Sequence, residues 1–172
     1  MDKIERLIAE AEIKDLMYKR IRYLDTKQWH LYGSVHTEDH VSTTFDGDSS
    51  DKEAPTDGSD LPPTAAGRKV VPGRDAVVET IRKLMDEPVP LTTCHHVHSP
   101  EITFKSEITA ESVWAMEDEL WWENGEVTEA MHGWGHYHEK YRKEQGKWLI
   151  CARGLTRLRV VTSADFAKRA QI

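Results

Sequence analysis

Only two cysteines occur in the 172 residues, Cys94 and Cys151, and they form no Cys-x-x-Cys pair. That spacing does not indicate a disulfide framework, and two isolated thiols fit a chain whose cysteines are reduced and buried. Long apolar runs are also missing. No stretch approaches the roughly 18 residues of a membrane span. The opening Met1-Asp2-Lys3-Ile4-Glu5 lacks the basic-then-apolar layout of a signal peptide, so a cytoplasmic protein with no membrane partner is expected. Basic charge is scarce as well: 23 Lys and Arg stand against 30 Asp and Glu, a formal net charge of -7. Phosphate backbones require a concentrated basic face, so no nucleic-acid partner is expected. The length suits one domain over residues 1–172, without internal repeats.

What is present begins with a helix. From Ile4 to about Lys27 there is neither Pro nor Gly, and Ile13, Met17 and Leu24 fall on one helical stripe flanked by Leu16 and Ile21. Arg20 lies inside that apolar stripe and Asp25 near its edge at the helix end. A charged head turned toward a core needs a partner, and one reading pairs these two residues with each other. Residues 46–63 hold five Asp, one Glu, three Pro and two Gly with almost no apolar content, which reads as a loop insertion at about 46–66. A second helix is predicted over Arg74–Met85, between Pro72-Gly73 and Pro88.

After Pro90 the period changes to two. Ile102 and Phe104 alternate, then Trp114, Met116, Asp118, Leu120 and Trp122 share one parity until Gly125. Strands over about Val127–Arg142 and Trp148–Val161 follow, joined as a hairpin across Glu144-Gln145-Gly146. Helices followed by long antiparallel strands predict an α+β domain with the helices on one face of a curved sheet. Trp114, Trp121, Trp122, Trp134 and Trp148 fit core and sheet packing, with some lining a cavity. On strand parity, Arg157 and Arg159 read as surface charges.

The nine histidines are the other signal. His95, His96 and His98 precede one strand, while His132, His136 and His138 lie on another. His96 with His98, and His136 with His138, share strand parity and could chelate a metal, but no helical His-Glu-x-x-His or carboxylate triad accompanies them. An alternating His and Tyr strand also serves as hydrogen-bonded scaffold.

Several pieces, in this order, resemble the SnoaL-like branch of the NTF2-like superfamily over about residues 8–160. They are Ala11-Glu12-Ile13-Lys14-Asp15-Leu16, Leu24-Asp25-Thr26-Lys27-Gln28-Trp29, His95-His96-Val97-His98-Ser99-Pro100-Glu101-Ile102, Gly133-Trp134-Gly135-His136-Tyr137 and Gly146-Lys147-Trp148. The resemblance implies a cystatin-like α+β cone, with N-terminal helices packed on a strongly curved, mostly antiparallel sheet around a largely apolar pocket. Members of the superfamily include dehydratases, a dehydrochlorinase, isomerases, polyketide cyclases and non-catalytic assembly modules.

Carried over by position, Asp25 and His95 match an Asp–His dyad, and Arg20 and Arg153 match cationic pocket positions. Asp118 and Tyr137 fall at pocket positions. One departure is that Arg20 stands where a bile-acid dehydratase has a tyrosine. The resemblance thus implies a lyase that uses no cofactor and no metal and acts on a hydrophobic aromatic or alicyclic molecule. His95 is its base, Asp25 orients it, and Arg20 and Arg153 stabilise negative charge. Tyr137, Asp118, His96, Trp114 and Met116 are expected around the substrate. An isomerase or cyclase, or a binding module, remains the alternative, and a homodimer or homotrimer is the implied assembly. His95 and His96 compete as the base by one residue of strand register.

Overall fold

The computed structural model describes residues 1–44 and 69–171. The expected insertion at about 46–66 lies outside them.

Helix α1 (Lys3–Asp25) starts on a reciprocal cap. The Asp2 carboxylate accepts from the N–H groups of Ile4 and Glu5, and the Asp2 N–H in turn donates to the Glu5 carboxylate. Its buried face carries Ile13, Leu16, Met17, Ile21 and Leu24, and also Arg20. Burying each large apolar side chain is worth about 1.5–3 kcal/mol. A short helix α2 (Trp29–Ser34) follows, then strand β1 (His36–Thr44), β2 (Lys69–Pro72) and helix α3 (Arg74–Asp86). The remainder is strand: β3 (Thr92–Val97), β4 (Glu101–Phe104), β5 (Thr109–Asn124), β6 (Val127–Glu144) and β7 (Lys147–Thr162), before a 3-10 turn at Phe166–Gln171.

The strands form one mixed sheet in the order β2-β1-β7-β6-β5-β3, with β4 also pairing β5. Among the described residues only the β1–β7 pair is parallel. Both long hairpins turn on two residues. Gly125 takes φ 65° in the first, and Gln145 and Gly146 take φ 48° and 80° in the second, the backbone that tight hairpins require. Two register shifts interrupt the β6–β7 ladder, at Trp134/Gly135 and Lys140/Tyr141. Such bulges bend and twist long strands.

The helices cover one face of this sheet. One core cluster joins Ile13 and Met17 of α1 to Trp114, Tyr137, Trp148 and Ile150. A second joins Leu24 and Tyr32 to Val77 and Ile81 of α3 and to Leu120 and Trp122. Register puts the inward residues in cross-strand rows: His95 opposite Asp118 opposite Gly133, then Val97 opposite Met116 opposite Gly135 opposite Arg157, and further along Ser112 opposite Glu139 opposite Arg153. Helix, sheet face and rows together bring charged side chains into the interior.

Candidate active site

Helix α1 ends where β3 begins its pairing, so Asp25 comes to lie against β3. Its Oδ1 accepts from His95 Nδ1 at 2.6 Å and from Thr93 Oγ1 at 2.8 Å, and its Oδ2 accepts from the His95 backbone N–H at 3.0 Å. Burial alone would raise the Asp25 carboxyl, but the His95 ring outweighs it through its hydrogen bond and charge. The His95 backbone N–H and Thr93 add to this, so the group titrates below the usual carboxylate range. An ionised Asp25 fixes the proton on Nδ1 of His95 and leaves Nε2 as the working nitrogen.

His95 Nε2 lies 3.8 Å from Asp118 Oδ2. Asp118 is gripped by Arg157 through two parallel hydrogen bonds, each 2.6 Å, the fork geometry that suits a guanidinium and a carboxylate. Both side chains are almost fully buried, 9% exposed for Arg157 and 5% for Asp118. Arg157 is therefore not the surface charge that parity predicts. The register shift places Arg157 opposite Gly135 but Arg159 opposite Trp134, with Leu158 as the extra residue. Arg159 alone is exposed, its guanidinium over the Trp134 ring.

Arg20 does not meet Asp25. The buried carboxylate it faces is Glu139, whose Oε1 lies 3.9 Å from Arg20 Nη1 and 3.6 Å from Arg153 Nε. Both guanidiniums also stand over the Tyr137 ring, at 5.1 and 4.6 Å from its centre. Burial drives the Glu139 carboxyl above its ordinary range, although Arg20 and Arg153 oppose it. It likewise raises the Tyr137 phenol against the same two arginines. Burial works against a charged Arg20, but Tyr32 and Glu139 overcome it, and the guanidinium is held more firmly than usual.

Two histidines of β1 join this interior group. His36 Nδ1 donates to the Tyr32 carbonyl at 2.7 Å and His40 Nδ1 to the Ile150 carbonyl at 3.1 Å. Their rings lie 4.4 Å apart. Burial pushes both below the usual imidazole range, His40 to about 3, so both are neutral. Glu139, Arg157, His36 and His40 are the polar interior residues that sequence reasoning missed. For Glu139 a signal existed, since it shares strand parity with the buried Tyr137 and Tyr141.

The remaining expected residues are distributed as follows. His96 is exposed, with Nε2 3.7 Å from Cys94 Sγ. It borders a cleft of about 400 Å³ that Tyr18, Ile21, Asp25, His95 and Val97 also line. Met116 is buried, its sulfur 3.6 Å from Arg157 Nη1. Trp114 is a core residue: it is fully buried, and its indole N–H donates to Ser112 Oγ and Tyr141 Oη. His132 pairs with Glu117 and stacks on Trp134, and His138 meets Thr156. Among the described residues no three His, Cys, Asp or Glu side chains are grouped as a metal ion would need, and no helix is long and apolar enough to cross a membrane.

Residues 5–154 match the SnoaL-like domain, and the chain belongs to that family. Among solved structures it is similar to a scytalone dehydratase-like protein of Novosphingobium aromaticivorans DSM 12444, with TM-score 0.69 and 18% identity over 93% of this chain and 91% of the other. The hexachlorocyclohexane dehydrochlorinase LinA-type3 of Novosphingobium barchaimii LL02 superimposes with TM-score 0.71 and 13% identity, covering 95% of each chain. ActVI-ORFA of Streptomyces coelicolor gives TM-score 0.58 and 13% identity over 86% of this chain and 96% of the other. At these identities the likeness establishes the α+β NTF2-like fold.

Proposed function

We propose that this chain is a cofactor-independent lyase that eliminates water, halide or an aldehyde from a hydrophobic alicyclic or aromatic molecule. The observation that carries the reading is the 2.6 Å contact between His95 Nδ1 and Asp25 Oδ1, which leaves Nε2 turned toward the buried row of Asp118 and Gly133. A neutral imidazole held in one tautomer by a carboxylate is a general base. His95 Nε2 takes a proton from the carbon beside the leaving group. The C–H electron pair becomes the new double bond, and the C–O or C–halogen bond breaks with its pair on the departing group. Asp25 stabilises the imidazolium that forms. For loss of formaldehyde, the proton comes from a hydroxyl: the O–H pair becomes the new C=O bond, the C–C bond breaks with its pair delocalised onto an electron-withdrawing group of the remaining fragment, and the His95 imidazolium returns the proton to that carbon.

Charge stabilisation falls to the guanidiniums. Arg20 and Arg153 leave at least one positive charge in excess whether Glu139 is ionised or protonated, in an interior where a well-placed donor contributes on the order of 3–4 kcal/mol to an anionic transition state. Arg157 adds a cation beside Asp118, on the Nε2 side of His95. Similarity to a dehydratase-like protein and a dehydrochlorinase supports elimination over other chemistry of this fold. The test is incubation of the purified chain, without added cofactor, with a panel of alicyclic and aromatic alcohols and halides, read by mass spectrometry. The expected product is lighter by water, hydrogen halide or formaldehyde. A product of unchanged mass would identify an isomerase or cyclase, and saturable binding without turnover would identify a binding module; either overturns the lyase reading.

A further inference from the structure

Glu139 sits six residues along β6 from Gly133, the row occupied by His95 and Asp118, on the order of 20 Å of extended strand. At that depth the interior holds polar atoms that make no hydrogen bond: both oxygens of Glu139, which meets Arg20 and Arg153 only at ion-pair distance, Nε2 of His36, Nε2 of His40 and Nε of Arg20. All four side chains are buried, none more than 2% exposed. Buried polar atoms in native proteins are almost always hydrogen-bonded, so a cluster of atoms lacking such bonds calls for a further polar group among them.

The inventory of these atoms selects the group. His36 and His40 each donate from Nδ1 to a carbonyl, so both Nε2 atoms are lone pairs. With the two oxygens of an ionised Glu139 they make four acceptors, and three if its carboxyl is protonated. Against them stands Arg20, whose Nη1 and Nη2 hydrogen-bond only weakly, to Met17 Sδ at 3.9 Å and Tyr32 Oη at 3.5 Å, and whose Nη1 stays 3.9 Å from Glu139 Oε1, beyond hydrogen-bond reach, leaving donor capacity in hand. A carboxylate or phosphate would satisfy Arg20 and leave the acceptors facing more acceptors. An ammonium would serve the acceptors and stand against two guanidiniums. An ether or ketone accepts only. A hydroxyl donates to Glu139 or an imidazole and accepts from Arg20 at once.

We propose that Glu139, Arg20, His36 and His40 form a seat for a ligand hydroxyl, so that the molecule bound in the interior carries an alcohol or phenol at its end remote from His95. Calling that molecule a substrate rests on the lyase reading; the seat itself is testable by binding alone. The probes are 2-naphthol, 2-methoxynaphthalene, which keeps the shape without the donor, and 2-naphthoate, an anion. Each is titrated calorimetrically into the full chain at pH 7. The expected result is at least tenfold tighter binding of 2-naphthol than of 2-methoxynaphthalene, with 2-naphthoate no better than the ether. Glu139→Gln and His40→Phe each reduce that preference at least threefold, and His95→Ala leaves it intact.

The proposal is overturned by 2-naphthoate binding most tightly, by a wild-type chain that does not distinguish 2-naphthol from its methyl ether, or by a preference lost in His95→Ala but kept in Glu139→Gln and His40→Phe. Should Glu139→Gln fail to fold, the wild-type series and His40→Phe decide. A preference for 2-naphthol that persists where no elimination is found upholds the seat and removes only the lyase reading.

Discussion

Gly133 and Asp118 are cross-strand partners, and a Cβ added to Gly133 would fall 2.7 Å from Asp118 Oδ1 and 2.9 Å from Arg157 Cζ. The volume that a side chain would fill on β6 is thus occupied by the Asp118–Arg157 pair. Gly133→Ala forces that pair to shift from beside His95. The expected cost is about 1–3 kcal/mol, the usual range for overpacking a filled interior. Urea unfolding of the variant measures it. Gly135→Ala is expected to cost more, because its Cβ meets the backbone of Thr156, which cannot swing away as a side-chain tip can.

Asp118 and Arg157 also make a matched pair to cut. Arg157→Met leaves a buried carboxylate without its guanidinium and is expected to destabilise the fold by about 3–5 kcal/mol, the range for removing one partner of a buried ion pair. The double variant Asp118→Leu with Arg157→Met is expected to recover most of that loss, since no charge is then stranded. A double-mutant cycle on urea midpoints checks both. Additive losses would mean that the two side chains do not depend on each other.

Buried neutral imidazoles predict a pH dependence. Burial holds His36 and His40 below the ordinary value of 6.5, helped by His40 and Arg20 at His36 and by Arg153 and Arg20 at His40, which lies at about 3. The unfolded chain therefore binds more protons than the folded one across that interval. Stability is fully present above about pH 6.5 and lost as pH falls toward 3, by up to about 1.4 kcal/mol per pH unit for each histidine. Asp25 acts in the same direction at lower pH. Its depressed carboxyl contributes stability above its ordinary value of 3.8 that disappears as pH falls through the folded value. Unfolding free energies from pH 8 to pH 4 are expected to fall below pH 6.5 in the wild type and more gently in His40→Phe. A flat profile between pH 7 and 5 would contradict the buried neutral state of both rings.

The fold was legible where hydrophobic period was strong. Ile13, Met17 and Leu24 predict α1, and the alternation from Trp114 to Trp122 predicts β5; the structure has both, as Lys3–Asp25 and Thr109–Asn124. Strand β1 was not legible, because its inward positions are His36, His40 and Ser42, polar residues buried at 2% exposure or less where a strand pattern expects Val or Ile. Arg157 defeats parity for a different reason: an extra residue at Cys151 reverses the alternation set by Trp148 and Ile150, so that Arg153, Leu155 and Arg157 turn inward, and a second at Leu158 returns Arg159 to the outside. Glu139 was passed over because a lone charge in a strand usually faces water, and its partners, Arg20 and Arg153, come from distant parts of the chain. Periodicity carries local geometry. Which charges meet in the interior is set by long-range packing, which no window of the sequence contains.

The most direct test of the whole account is kcat/KM for three single variants on the first substrate that the elimination panel identifies. His95→Ala and Asp25→Asn are each predicted to lower it by about 10²–10⁴-fold, the contribution of a positioned general base, while His96→Ala stays within a few-fold of wild type. Full turnover in His95→Ala and Asp25→Asn, or its abolition in His96→Ala alone, would contradict the assignment of His95 as the base.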